Sequence, residues 1–127
     1  MRSTTKLGKT TATKLLVVED EGEMRLVLDM ILQGRDMDID YANSLLNADE
    51  QIERFKPSVM ILDNKLPDGY GVDSIGYFKK KYPGVKIIMI SGFSTVRDVA
   101  LNNGADVFFE KPFTLTEFYE AIDRLAN

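Results

Sequence analysis

The 127-residue chain has neither cysteine nor histidine. Without cysteine there can be no disulfide, thiolate nucleophile or zinc–thiolate site, and a reducing compartment is the natural setting. Without histidine, the usual general base and the usual transition-metal ligand are also missing. Any metal would be held by oxygens, which favours magnesium or calcium. Apolar runs reach only about five residues, against the roughly 20 that span a bilayer, and the N-terminus lacks the apolar stretch of a secretory signal. No membrane partner is implied, and a soluble, cytoplasmic protein is expected.

Positive charge is also in short supply. There are 16 basic and 20 acidic residues, a formal charge of −4. Arg2, Lys6 and Lys9 lie within residues 1–13, which contain no acid, so the remainder carries 13 basic against 20 acidic residues, or −7. A body this acidic is a poor direct partner for nucleic acid, because phosphate contacts dominate that affinity. Residues 1–13 are rich in Thr, Lys and Gly without periodicity, and read as a flexible tail before a single domain over 14–127.

What the chain does have is 44% hydrophobic residues, arranged as alternating strand-like and helix-like segments. Apolar runs fall at 14–18, 59–62 and 86–90, a period-two segment at 37–41 and a short run at 106–109. Between them, Met24, Val27, Leu28 and Ile31 recur at helical spacing within 22–33, as do Leu45, Ala48, Ile52 and Phe55 before Pro57. Val72, Ile75 and Phe78 stripe a third helix that ends by Pro83-Gly84. Residues 94–103 form a weak fourth, with only Val96, Val99 and Ala100 apolar and Gly104 suited to its C-terminal cap. Leu115, Phe118, Ile122 and Leu125 stripe the last helix, which Thr114 and Glu117 suit as a capping box. Five βα units with right-handed crossovers predict an α/β, three-layer doubly wound (βα)5 domain around a parallel sheet.

In such sheets ligands bind at the carboxyl ends of the strands. There this chain places Glu19-Asp20, Asp63, Ser91 and Lys111. Each has a plain reading: Asp63 as a solvated turn residue, Asp20 as a helix cap with Glu23, Ser91 as a loop hydroxyl, Lys111 as a surface charge. Together they read differently. Three carboxylates at one edge repel unless a cation or protons intervene, and oxygen ligands point to Mg²⁺. A carboxylate nucleophile, a metal, a fixed ammonium and a hydroxyl are the parts phosphoryl transfer needs.

Val17-Val18-Glu19-Asp20, Ile61-Leu62-Asp63 with Pro67 and Gly69, Ile90-Ser91, and Gly104-Ala105-Asp106 running to Lys111-Pro112-Phe113 resemble the receiver domain of two-component response regulators, in the single-domain form of chemotaxis and sporulation. The resemblance spans 14–126 in order and spacing. It implies the flavodoxin-like strand order 2-1-3-4-5 and Asp63 as phosphoacceptor from a partner histidine kinase or histidine phosphotransfer protein. It implies Mg²⁺ held by Glu19, Asp20, Asp63 and the backbone carbonyl of Lys65. Ser91 and Lys111 would each meet a phosphoryl oxygen, the Lys111–Pro112 bond would be cis, and Ser91 with Phe108 would form the switch. Phosphorylation would then change binding of a downstream protein, with the face of helix four, strand five and helix five as partner or homodimer surface.

Four positions depart from the family pattern. Asn64 replaces the usual apolar residue, Lys65 projects beside the site, Phe93 stands where an attacking water needs room, and Phe108 replaces the switch tyrosine. The bulk of Phe93 predicts a screened, long-lived acyl phosphate. No DNA-binding helix-turn-helix follows the last helix, so a standalone receiver, or the excised receiver of a longer regulator, is expected rather than an enzyme. An Asp-nucleophile phosphatase would need an acid where Lys65 stands. A nucleotide- or flavin-binding domain would need a glycine-rich loop in place of Glu19-Asp20-Glu21-Gly22-Glu23. A receiver-like module working without phosphorylation is the remaining alternative, set against five chemically competent site positions.

Overall fold

Leu15, Leu16, Val17 and Val18 are each no more than 1% exposed, so this run has no solvated face. Only a strand covered on both sides accommodates such a pattern. A computed structural model describes residues 13–31 and 36–126, apart from the side chains of Glu23 and Ile31. The five main strands are β1 (Thr13–Val18), β2 (Met37–Ala42), β3 (Val59–Asp63), β4 (Lys86–Ser91) and β5 (Val107–Glu110). They form one parallel sheet in the order β2-β1-β3-β4-β5. That is the order and fold class expected from the sequence.

The helices are α1 (Glu23–Ile31), α2 (Leu45–Phe55), α3 (Gly71–Lys81), α4 (Arg97–Asn102) and α5 (Leu115–Ala126). Period-two alternation sorts each central strand between two cores. Leu16, Val18, Met60, Leu62, Ile87 and Met89 face α2, α3 and α4, through Ala48, Ile52, Val72, Ile75, Phe78 and Ala100. Leu15, Val17, Val59, Ile61, Ile88 and Ile90 face α1 and α5, through Leu28, Phe118, Ala121 and Ile122. Each fully buried aliphatic side chain contributes on the order of 1.5–3 kcal/mol, which makes the twin cores the main source of stability.

Helix ends follow local chemistry. Ser44 Oγ accepts from Asn47 N at the start of α2, and Lys56 closes it with φ 54° and its N–H on Ile52 O. Thr114 and Glu117 form the expected capping box: Glu117 N donates to Thr114 Oγ1 at 3.2 Å, and Thr114 N to Glu117 Oε1 at 3.4 Å. The fourth helical segment differs from the expected single helix over 94–103. It is a 3₁₀ turn at Ser94–Val96 followed by six α-helical residues, because one short apolar stripe cannot hold a longer regular helix against the sheet. Gly104, at φ 115°, closes α4 as expected, with Ala105 N donating to Ala100 O at 3.0 Å. The tail expected before β1 lies outside the described residues as far as residue 12, as do residues 32 and 33 of the expected first helix. β1 itself begins at Thr13.

Candidate functional site

Strand register brings the predicted residues to one edge. Asp63 pairs with Ile90, so Ser91 follows one step beyond, and Ser91 pairs with Glu110, which Lys111 follows. Lys111 N donates to Ser91 O at 2.9 Å, and the Lys111–Pro112 bond is cis. Asp20, Asp63, Lys65, Ser91, Phe93 and Lys111 line one cavity of about 580 Å³, together with Asn64 and the loop up to Tyr70.

Asp63 is the residue most altered by this setting. Its side chain is 16% exposed and lies 3.5 Å from the Lys111 ammonium, measured Oδ1 to Nζ. Burial pushes its carboxyl above the ordinary carboxylate range; Lys111 and the N–H groups of Asn64 and Lys65 pull the other way and do not cancel it. A carboxylate held partly out of water beside a cation, with a raised proton affinity, is the kind of group that clusters at functional sites. Ser91 is 2% exposed, and its Oγ accepts from Phe93 N at 3.0 Å. Its hydroxyl hydrogen remains available as a donor. Phe108 is also inside, at 7% exposure, with the Arg97 guanidinium 6.0 Å from its ring centre.

The acidic trio converges only in part. Glu19 is 9% exposed, and its Oε1 accepts from Met24 N at 3.0 Å and Arg25 N at 3.3 Å. It therefore does the work at the start of α1 that the sequence offered to Asp20, because the orphan amides of a helix N-terminus attract the nearest carboxylate. Asp20 is left exposed and facing the cavity. Among the described residues no three carboxylates already sit as a metal-ligand set.

Two residues important to the site's shape were not foreseen. Asp68 Oδ1 and Oδ2 accept from Leu45 N at 2.9 Å and Leu46 N at 3.0 Å. The loop after the candidate nucleophile thus caps α2, and those N–H donors hold the Asp68 carboxyl below the usual range. Gly71 is the other. A Cβ there would lie 2.4 Å from Asp63 O, so only glycine lets α3 start against the backbone of Asp63. Pro67 and Gly69 on either side of Asp68 mark a turn by composition alone; the contacts of Asp68 have no such local mark, since Asp68 and Leu45 are 23 positions apart.

Comparison with known proteins agrees with this geometry. Residues 15–123 match the model of the response regulator receiver domain family, and the chain belongs to that family. It is 36% identical over 107 residues to the KDP operon transcriptional regulatory protein KdpE of Escherichia coli, covering 83% of this chain and 47% of that protein. It is 30% identical over 117 residues to the chemotaxis protein CheY of Listeria monocytogenes, covering 90% of this chain and 98% of that protein. The chain thus spans about half of KdpE, and a quarter of the response regulator PilR of Pseudomonas aeruginosa. The solved receiver domain of NtrC4, a beryllofluoride-activated dimer, superposes with a TM-score of 0.80 at 32% identity, covering 88% of this chain and 94% of that one. Receiver domains are signalling domains of two-component systems. No helix among the described residues is long and apolar enough to cross a membrane.

Proposed function

We propose that this chain is a cytoplasmic phosphoacceptor module whose Asp63 takes a phosphoryl group from a histidine kinase or histidine phosphotransfer partner. The observation that carries the reading is the half-buried Asp63 carboxylate, 3.5 Å from Lys111, in a cavity it shares with the buried Ser91. An Asp63 oxygen attacks phosphorus, the bond from phosphorus to the donor nitrogen breaks, and the imidazole departs with the electron pair and gains a proton. A small acyl phosphate would serve equally, its carboxylate leaving instead. Lys111 answers one phosphoryl oxygen and the Ser91 hydroxyl another, replacing water by fixed charge and dipole.

The donor set fits a hard cation, since Asp20 and Asp63 offer oxygens to the same cavity without nitrogen or sulfur ligands. Asp20, Asp63 and the Lys65 carbonyl would hold Mg²⁺, with Glu19 completing the set while sharing Oε1 with the α1 amides. Bound there, Mg²⁺ neutralises the crowded carboxylates and the incoming phosphoryl oxygens. The switch in this reading is Ser91 moving toward the phosphoryl group, with Phe108 repacking beneath it. Its output is binding of a downstream protein or a second copy. Val99 and Leu101 on α4 and Leu115 on α5 are exposed apolar residues that such a partner could cover, and the beryllofluoride-activated receiver domain of NtrC4 is itself a dimer.

Incubation with Mg²⁺ and acetyl phosphate should add one phosphoryl mass to the wild type and none to Asp63→Asn. Equal labelling of both would reject the assignment. Phe93 lines the cavity yet is 67% exposed, so it screens the mouth from one side only. Phe93→Ala should shorten the phosphoform lifetime severalfold, read by intact mass over time. An unchanged lifetime would remove Phe93 from the site.

A further inference from the structure

Three polar or charged residues are buried among the described residues: Glu19, Asn64 and Ser91. All three sit at the same sheet edge, just past β1, within one residue of β3, and at the end of β4. Buried polar groups are costly unless each finds a partner. Glu19 and Ser91 have roles in the reading above; Asn64 has none.

Asn64 is 7% exposed. Its N–H donates to Ile90 O at 3.0 Å and its carbonyl accepts from Gly71 N at 2.7 Å. Its Oδ1 accepts from Val72 N at 3.0 Å. A backbone N–H can only donate, so this last bond fixes which end of the carboxamide is oxygen. The two N–H groups of Nδ2 are then the free end, and they meet no acceptor among the described residues. The residue lines the cavity that holds Asp63, Ser91 and Lys111. An apolar side chain would have closed this position without an unanswered donor.

We propose that Asn64 is a hydrogen-bond donor to the phosphoryl group: Nδ2 answers a phosphoryl oxygen on Asp63, while Oδ1 clips the start of α3 against the Asp63 backbone. The two halves of one side chain thus do separate work. The clip explains how Gly71 is held where a Cβ would stand 2.4 Å from Asp63 O. The donor explains why an amide is buried where a hydrocarbon would fit. The acceptor assigned to it is an anionic oxygen, because Lys111 and the Ser91 hydroxyl line the same cavity and are the donors set against that group in the reading above. This inference rests on Asp63 being the phosphoacceptor.

The test follows ¹⁵N side-chain amide signals of the wild type, with Asn64 assigned by its loss in Asn64→Asp, as beryllofluoride and Mg²⁺ are added. Acetyl phosphate labelling is timed in parallel for wild type, Asn64→Asp and Asn64→Leu, with thermal melts of each. Asn64→Asp keeps the acceptor for Val72 N–H and removes the donor; Asn64→Leu removes both. The expected result is a shifted, exchange-protected Nδ2 signal in the wild type. Labelling should be at least about tenfold slower in both variants, the loss of one hydrogen bond to a charged group, with Asn64→Asp melting close to wild type. An unmoved Nδ2 signal overturns the donor role even if Asn64→Leu is slow, since that slowing would then come from the lost clip. Normal labelling of both variants also overturns it, while leaving Asp63 as phosphoacceptor. If wild type itself takes no phosphoryl group, the reading of the site fails, and this inference with it.

Discussion

The helices α4 and α5 flank the same edge strand, β5, and could hardly be held more differently. α5 runs for 12 residues, opens with a complete capping box, and buries Phe118, Ala121 and Ile122. Phe118 stacks with Phe113 at 5.0 Å and Phe109 at 5.9 Å between ring centres. α4 has six residues, no side-chain cap at its start, and Ala100 as its one buried residue. Its C-terminal end is fastened: Asn103 Nδ2 donates to Val72 O at 3.1 Å, and Asp106 just beyond pairs with Lys79 at 3.1 Å while accepting from Ile87 N at 2.8 Å. Its N-terminal end, reached through a 3₁₀ turn from the Ser91–Phe93 loop, has no such side-chain hydrogen bond or ion pair among the described residues, only the Arg97 guanidinium 6.0 Å from the Phe108 ring centre. The sheet edge that carries the candidate site is thus bordered by one well-anchored helix and one held mainly at its C-terminal end. Segments with few buried apolar contacts are those that open at least cost.

The contrast can be broken most forcefully through α5. Phe118→Ala should cost about 3–5 kcal/mol of stability, the range for deleting a buried aromatic, measured by urea unfolding. A loss below about 1 kcal/mol would mean that α5 is no better anchored than α4.

The site between them should respond in the opposite direction. Burial raises the Asp63 carboxyl despite Lys111, so the folded chain binds that proton more tightly than the unfolded one. Stability is therefore lost as pH rises from the ordinary carboxylate value through the raised one. Asp63→Asn should melt above wild type at neutral pH in metal-free buffer. The gap should close below about pH 4, where both side chains are neutral. A gap that widens in acid would contradict the raised proton affinity.

Smallest of all should be Val99→Ala. Val99 is 50% exposed on α4, and its truncation should shift stability by no more than about 0.5 kcal/mol. Amide exchange sharpens the same comparison: α4 amides should exchange well ahead of those in α5. Equal protection would show that the tether at the C-terminal end of α4 holds the whole helix.

The fold was legible because its largest energetic term is written locally. Strands buried on both faces need unbroken apolar runs, and Val17-Val18-Glu19-Asp20, Ile61-Leu62-Asp63 and Ile90-Ser91 mark where each run meets the polar edge. The gathering of Asp63, Ser91 and Lys111 follows from parallel register once those strands are known. The capping box at Thr114 was equally plain, since its partners are three residues apart.

Tertiary structure decided whatever depends on which donor lies nearest in space. Glu19 turned to the α1 amides, leaving Asp20 to the cavity, although the two acids are adjacent in the chain. Asp68 found the start of α2, and Asn64 the start of α3. The break of residues 94–103 into a 3₁₀ turn and a short helix was settled by how little of that segment the sheet could cover. Hydrophobic periodicity is a property of neighbours along the chain, so residues reveal it unaided. A hydrogen bond across 8 or 23 positions exists only after the sheet has set the distance.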